Sequence, residues 1–343
     1  MFIKMRKTNK KLKEEINQHK IIKKNYKVSI IIPVFNSSRT LESSLKAIFE
    51  SDYPHFEVIV VDDGSTDNSV KIANKFPCKV IKKKSNTGAA DARNIGAMEA
   101  KYDILFFTDS DCIVKKDTIS KIVSSFNKNF DVVAGIYSKQ PYNNDNIFSA
   151  YHSLLAYYNY CNSSVALFGT QCAAIKRNLF WKLGGFDCSI KGATVEDLKF
   201  QYKLQSVECN YHINMDAQVL HNSRNSLAGL LKSYYKRSKF ATELILRMKK
   251  VIPTKQGYIV NYATMLSYLV LFIAISSLFL ILFNPLFIWV FLSGVVMFLF
   301  LKRKFYFMIK GKSKLAKVIS LSFICDFFII IGGLAGVWSY IRK

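Results

Sequence analysis

Short β-branched runs closed by turn residues alternate with segments that are apolar at helical spacing through the first third of the chain. That alternation predicts an α/β fold built on a mostly parallel, doubly wound sheet. Strands are expected at 28–33, 56–61, 79–82 and 104–108, with helices at 40–50, 69–76 and 88–100 between them. Further on, 131–137 and 217–220 read as strands, and 148–160 and 197–204 as helices. In such sheets ligands sit beyond the carboxyl ends of the strands. Pro33-Val34-Phe35-Asn36, Asp62-Asp63-Gly64 and Asp109-Ser110-Asp111 each follow a strand, so all three are expected to line one crevice.

The pattern changes towards the C-terminus. Positions 258–283 form a run of 26 residues without a charge, 285–301 and 318–341 are two further apolar stretches, and Asn284-Pro285 separates the first two. At about 1.5 Å per residue such runs approach the ~30 Å hydrocarbon core of a bilayer, so three membrane spans are expected. Lys302 to Lys317 holds seven Lys/Arg and no acid, and Arg247, Lys249, Lys250 and Lys255 precede the first run. A Lys/Arg excess marks the cytoplasmic side. The expected topology is therefore a multi-pass cell-membrane protein with its soluble domain in the cytoplasm, Asn284-Pro285 as an external turn, and the third segment spanning or re-entrant. The expected division is a basic arm over 1–27, a soluble domain over 28–250 and a membrane region over 251–343.

The formal net charge is +25, yet nucleic acid is not the expected partner. The basic residues cluster in the arm (ten Lys/Arg in the first 27 positions) and beside the apolar runs, an arrangement suited to an anionic membrane surface. Seven cysteines are scattered without a Cys-x-x-Cys pair, which argues against a zinc site or a disulfide framework. The charged N-terminus has no apolar core after it, so no secretory signal is read there.

The chemistry is concentrated in Phe106-Phe107-Thr108-Asp109-Ser110-Asp111-Cys112. An apolar run delivers two carboxylates, at i and i+2, to the end of a buried strand, where they can share one hard cation. Such an ion can also carry a diphosphate, which is the chemistry needed to make a nucleoside diphosphate leave.

The segments 28–36, Val60-Val61-Asp62-Asp63-Gly64-Ser65-Thr66-Asp67, Asn86-Thr87-Gly88-Ala89-Ala90-Asp91-Ala92-Arg93, Thr108-Asp109-Ser110-Asp111, Gly184-Gly185-Phe186-Asp187 and Glu196-Asp197 together resemble the family 2 glycosyltransferases of the GT-A fold, over about 28–221. The resemblance implies inverting sugar transfer from a UDP- or GDP-sugar with a divalent cation, Mg²⁺ or Mn²⁺. It implies nucleotide-sugar contacts at Pro33, Phe35, Asn36, Asp62, Asp63, Gly88, Arg93 and Asp109, and metal contacts at Asp109, Asp111 and His221. Asp197 is implied as the general base that takes the acceptor hydroxyl proton, with Glu196 in support. Gly169, Thr170 and Gln171 match the loop lining the acceptor side.

One departure narrows the reading. Processive relatives carry Gln-x-x-Arg-Trp after the Glu-Asp pair, and no such run occurs here; Tyr234-Tyr235-Lys236-Arg237 stands in that region instead. The expected activity is transfer of one sugar to a lipid-linked saccharide at the cytoplasmic membrane face, for polysaccharide or glycoconjugate synthesis, with a homo-oligomer or envelope-assembly proteins as candidate partners. The alternative is a polyprenyl-phosphate sugar synthase similar to dolichol-phosphate mannose synthases. A scaffold that has kept the fold without the activity would lack divalent-dependent nucleotide binding. Asp326, an acid inside an apolar stretch, is marked as functional by its cost in a membrane.

Overall fold

The computed structural model describes residues 25–142, 146–162, 168–189, 196–222, 226–247, 262–309 and 312–342. The expected basic arm, apart from 25–27, and positions 258–261 of the first apolar run lie outside the described residues.

Eight strands form one sheet: β1 Val28–Val34, β2 Phe56–Asp62, β3 Lys79–Lys82, β4 Ile104–Phe107, β5 Cys112–Val114, β6 Val132–Tyr137, β7 Ala173–Lys176 and β8 Tyr211–His221. Their order across the sheet is β3-β2-β1-β4-β7-β6-β8-β5. The first half behaves as the sequence predicts: β1 lies parallel between β2 and β4, and β3 adds to the far side of β2. These strands are covered on both faces, which is why β1 is a continuous apolar run and not an alternating one.

The second half makes the sheet mixed, with parallel pairings still in the majority. β7 runs antiparallel between β4 and β6, β8 pairs parallel with β6, and β5 closes the edge antiparallel to β8. The missed strands carry weak signals: β7 is Ala-Ala-Ile-Lys, poor in β-formers, and β5 has three residues.

Helices cover both faces. On one, α1 (Leu41–Phe49) and α4 (Thr118–Phe126) place Leu45, Ile48, Ile122 and Phe126 against Ile30, Ile32, Val58 and Val60. On the other, α3 (Ala89–Met98) packs with Phe180, Phe186 and Phe200 over Ile31, Val61 and Phe107. The alanine-rich sequence of α3 has a spatial reason: a Cβ at Gly96 would come within 2.5 Å of the Ile31 side chain. The other short helices are α2 (Ser69–Ala73) and α6 (Arg177–Lys182), and α5 spans Ile147–Asn162 and α7 Glu196–Gln205.

The C-terminal region is helical: α8 Leu227–Arg247, α9 Tyr262–Leu280, α10 Phe287–Leu301, α11 Arg303–Tyr306 and α12 Lys312–Ile341. Among the described residues one stretch, Lys314–Ile341, is long and apolar enough to cross a membrane; Leu266–Leu278 and Phe287–Leu301 are shorter apolar helices. Of the three spans expected from hydropathy, the described residues thus support one candidate. Lys302 also departs from the expected basic loop. Its ammonium folds inward onto Asp326 and lies 3.2 Å from Ser322 Oγ, so the lone acid of the apolar tail is buried against a cation from the end of α10.

Candidate active site

The carboxyl ends of β1 and β4, the helix α7, and faces of α5 and α8 enclose a cleft of about 920 Å³. β4 delivers Asp109 to its floor. Thr108 Oγ1 donates to the Gln171 carbonyl at 3.0 Å, tying this strand end to the loop 169–171, and the Cys112 amide donates to the Asp109 carbonyl at 3.0 Å, turning the chain. The turn feeds directly into β5, whose register sets Cys112 opposite His221 of β8. That pairing brings His221 Nε2 to 3.4 Å from Asp111 Oδ2. Ligand atoms of Asp109, Asp111 and Cys112 lie within 4.8 Å of one another. Burial pushes the Cys112 thiol well above its ordinary range, so it stays protonated and the donors that remain are carboxylate oxygens and an imidazole.

Arg93, 3% exposed, links two halves of the site. Its Nη2 lies 2.6 Å from Asp109 Oδ1 and its Nη1 2.9 Å from Glu196 Oε1. Glu196 is thereby held as a structural partner. Asp197, the next residue, faces the same cleft. Its Oδ1 accepts the Leu198 amide at 2.7 Å. Burial, and then the neighbouring Glu196 charge, push the Asp197 carboxyl up to about 6, against the pull of Arg237. Desolvation in the cleft also raises Asp109, whereas the His221 ring and Arg237 overcome desolvation to hold Asp111 below the usual carboxylate range.

On the nucleotide side the expected residues separate into two groups. Pro33, Phe35, Asp63, Gly88, Arg93 and Asp109 line the cleft, with Phe35 47% exposed at its mouth. Asp63 accepts the amides of Thr87 (3.0 Å) and Gly88 (2.8 Å) and pairs with Lys83 at 2.5 Å, which anchors the start of α3. Asn36 and Asp62 do not line the cleft. Asn36, at φ 49°, accepts the Thr66 amide at 2.9 Å, and Asp62 accepts the Ser65 amide at 3.3 Å, so both side chains close loops. Gly169, Thr170 and Gln171 form the opposite wall with Tyr160, whose hydroxyl bonds Gln171. A Cβ on Gly169 would overlap that hydroxyl.

Sequence reasoning missed His152. It lines the cleft, its ring centroid is 5.0 Å from that of His221, and its Nδ1 is 3.0 Å from the Tyr234 hydroxyl. Burial pushes its imidazole well below the ordinary range, so it stays neutral. The available signal was helical spacing: His152, Ala156 and Tyr160 repeat at i, i+4 and i+8 on α5, and all three face the cleft.

Residues 29–184 match the family model Glycosyl transferase family 2. The chain carries a family 2 glycosyltransferase domain. This transferase domain is 32% identical over 146 residues to glycosyltransferase GlyG of Streptococcus pneumoniae serotype 4, covering 41% of this chain and 47% of that relative. It is 29% identical over 106 residues to the poly-beta-1,6-N-acetyl-D-glucosamine synthase of Staphylococcus epidermidis, covering 30% of this chain and 26% of the synthase. The matches thus span about half of the first relative, at 47%, and about a quarter of the second, at 26%. Among solved structures, the mannosyltransferase PcManGT from Pyrobaculum calidifontis, in complex with GDP-Man and Mn2+, shares the fold: TM-score 0.59 at 17% identity, over 92% of this chain and 88% of that one.

Proposed function

We propose that this transferase moves a single sugar, with inversion, from a UDP- or GDP-sugar to a hydroxyl of a lipid-linked saccharide at the cytoplasmic membrane face, in the synthesis of a polysaccharide or glycoconjugate. The observation that carries the reading is the placement of Asp197. Its carboxylate shares one cleft with Asp109 and Asp111, and no ion pair holds it among the described residues, whereas its neighbour Glu196 is bound to Arg93. The names of the relatives, which include a polysaccharide synthase, support the substrate class.

The residues supply the steps. Phe35, Asp63 and Gly88 lie where a nucleoside and its ribose would rest, against an aromatic face and polar groups. Asp197 takes the acceptor proton as the hydroxyl oxygen bonds to the anomeric carbon and the carbon–oxygen bond to the diphosphate breaks. A single displacement from the opposite face inverts the centre. Asp109, Asp111 and His221 fit a divalent cation, Mg²⁺ or Mn²⁺, which when bound would offset the charge of the departing nucleoside diphosphate.

A second reading rests on Lys232, Lys236 and Arg237, three cations that α8 presents to the cleft. They suit a phosphate acceptor, as in a polyprenyl-phosphate sugar synthase, which needs no strong base.

The test uses membranes containing the full chain, labelled UDP- and GDP-sugars, and Mn²⁺ or Mg²⁺, with label followed into organic-extractable lipid. Asp111→Asn should raise the cation concentration for half-maximal transfer at least about 10-fold. Transfer that is indifferent to cation and to this substitution would sink the metal-dependent mechanism.

The pH profile follows from Asp197. Its carboxyl is raised to about 6, and the base must be ionised, so kcat/KM should climb about tenfold per pH unit below that value and level off above it. A profile flat from pH 5 to pH 8 would place the proton elsewhere.

A further inference from the structure

The helix α12 has the length and apolarity of a membrane crossing, but its packing does not suit one. One face is buried along nearly its whole course, through Val318, Leu321, Cys325, Gly332 and Gly336. The first three pack with Tyr151 and Tyr158 of α5 and with Phe305. The last two meet α8 so closely that a Cβ at Gly332 would overlap the Tyr235 carbonyl oxygen, and one at Gly336 the Lys239 carbonyl oxygen. Ser238 Oγ also donates to the Ile329 carbonyl at 2.6 Å. The contacts ascend together along both helices, so α8 and α12 run parallel and side by side.

This fixes what lies at the depth of the helix centre. The turn of α8 that touches Ile329 and Gly332 is the one that presents Lys236 and Arg237 to the cleft. Were α12 to cross a bilayer, these exposed cations and the mouth of a polar cleft would sit within the hydrocarbon, where charge is expelled. The opposite face of α12 is apolar and exposed at Ile324, Phe327, Ile331, Leu334, Trp338 and Ile341, a stripe at alternating spacings of three and four. Lys314 and Lys317 precede the stripe and Arg342 follows it, matching anionic head groups at both ends.

We infer that α12 does not cross the membrane: it lies along the cytoplasmic leaflet, with its glycine face on the enzyme and its stripe from Ile324 to Ile341 in the acyl region. The cleft then opens beside the lipid surface, and a lipid-linked acceptor reaches Asp197 by lateral diffusion, without leaving its leaflet. The inference rests on the membrane-bound reading of function, and the chain's end is its most direct consequence: the C-terminus stays on the side of the catalytic domain.

The experiment adds an epitope tag after Lys343 of the full chain and exposes inverted vesicles and intact spheroplasts to protease. The expected result is loss of the tag in inverted vesicles only. Loss from intact spheroplasts would overturn the inference while leaving the transferase reading untouched. Recovery of the protein in the soluble fraction would overturn it together with the membrane reading. Ile331→Lys gives an independent check. A lysine at the centre of a crossing helix would disfavour insertion by about 100-fold. On a surface helix the new ammonium can reach the head groups along its alkyl stem, so membrane-bound protein should fall by less than about tenfold and nucleotide affinity should stay within about twofold. Collapse of Ile331→Lys, with Gly333→Ala unaffected, would also count against the inference.

Discussion

Asp197→Asn should lower kcat for sugar transfer by about 100- to 10,000-fold, the usual contribution of a positioned general base. Donor affinity should move little, because Asp197 belongs to α7, whereas the proposed nucleotide contacts Asp63, Gly88 and Arg93 line the cleft from other elements. Two features of the geometry make the effect large. Burial and the Glu196 charge raise the carboxyl to about 6, making it a stronger base than an exposed aspartate while keeping it mostly ionised at pH 7. Glu196 cannot substitute, since its carboxylate is bound to Arg93 at 2.9 Å. The amide that replaces the carboxylate would retain its shape and lose the proton acceptor. Steady-state kinetics with a lipid-linked acceptor, alongside calorimetric nucleotide binding, would read the two effects separately. Near-normal transfer by this variant, with unchanged nucleotide binding, would move the assignment to a phosphate acceptor that is already ionised.

The same residue shows what could be read from the chain before folding. Asp109 and Asp111 were legible because they follow a strongly patterned strand, whereas Asp197 was reached only through the family resemblance. A fully buried strand such as β1 or β4 needs a run of apolar residues with no interruption, and the first polar residues after it mark the carboxyl edge of the sheet. His152 was legible only as one position of a helical repeat on α5, not as a neighbour of His221. Its place beside His221 depends on α5 packing against β6 and β8, and on a three-residue strand, Cys112–Val114, whose register with His221 no local pattern encodes. β7 was hidden for a related reason: two alanines fit there because the strand is wedged between β4 and β6, so tertiary packing overrides a weak propensity.

Asn36 and Asp62 show how one residue type can serve two purposes. Both follow strands and carry side chains suited to a nucleotide, but Asx side chains also satisfy loop amides. Here the Thr66 and Ser65 amides claim them. Hydropathy likewise recognised the apolar tail without its arrangement. The Lys302–Asp326 pair and the glycine contacts of α12 with α8 are long-range features, separated by 24 residues in the first case and by roughly a hundred in the second. Composition reports how apolar a segment is, while its neighbours decide whether it crosses a membrane or lies on an enzyme.

Arg93→Met should destabilise the fold by about 3–5 kcal/mol and abolish both nucleotide binding and transfer, because removing one member of a buried ion-pair set leaves the others uncompensated. Its guanidinium serves two carboxylates from different parts of the chain, Asp109 at 2.6 Å and Glu196 at 2.9 Å, and only the planar fork of arginine reaches both in fixed geometry. Arg93→Lys should therefore recover part of the stability and little of the activity, since a point charge can satisfy one carboxylate while the other drifts. The pH response should distinguish this from a simple packing defect. Asp109 already has a raised pKa in the folded site, and without Arg93 its ionised form loses its main partner. Protonation then favours the folded state, so the deficit of Arg93→Met relative to wild type should shrink as pH falls through the carboxylate range. Chemical denaturation of both proteins between pH 4 and pH 8 would measure it. A deficit constant across that range would mean that Arg93 acts through its packing against Phe186, whose ring lies 5.8 Å from the guanidinium carbon, and not through the charges it joins.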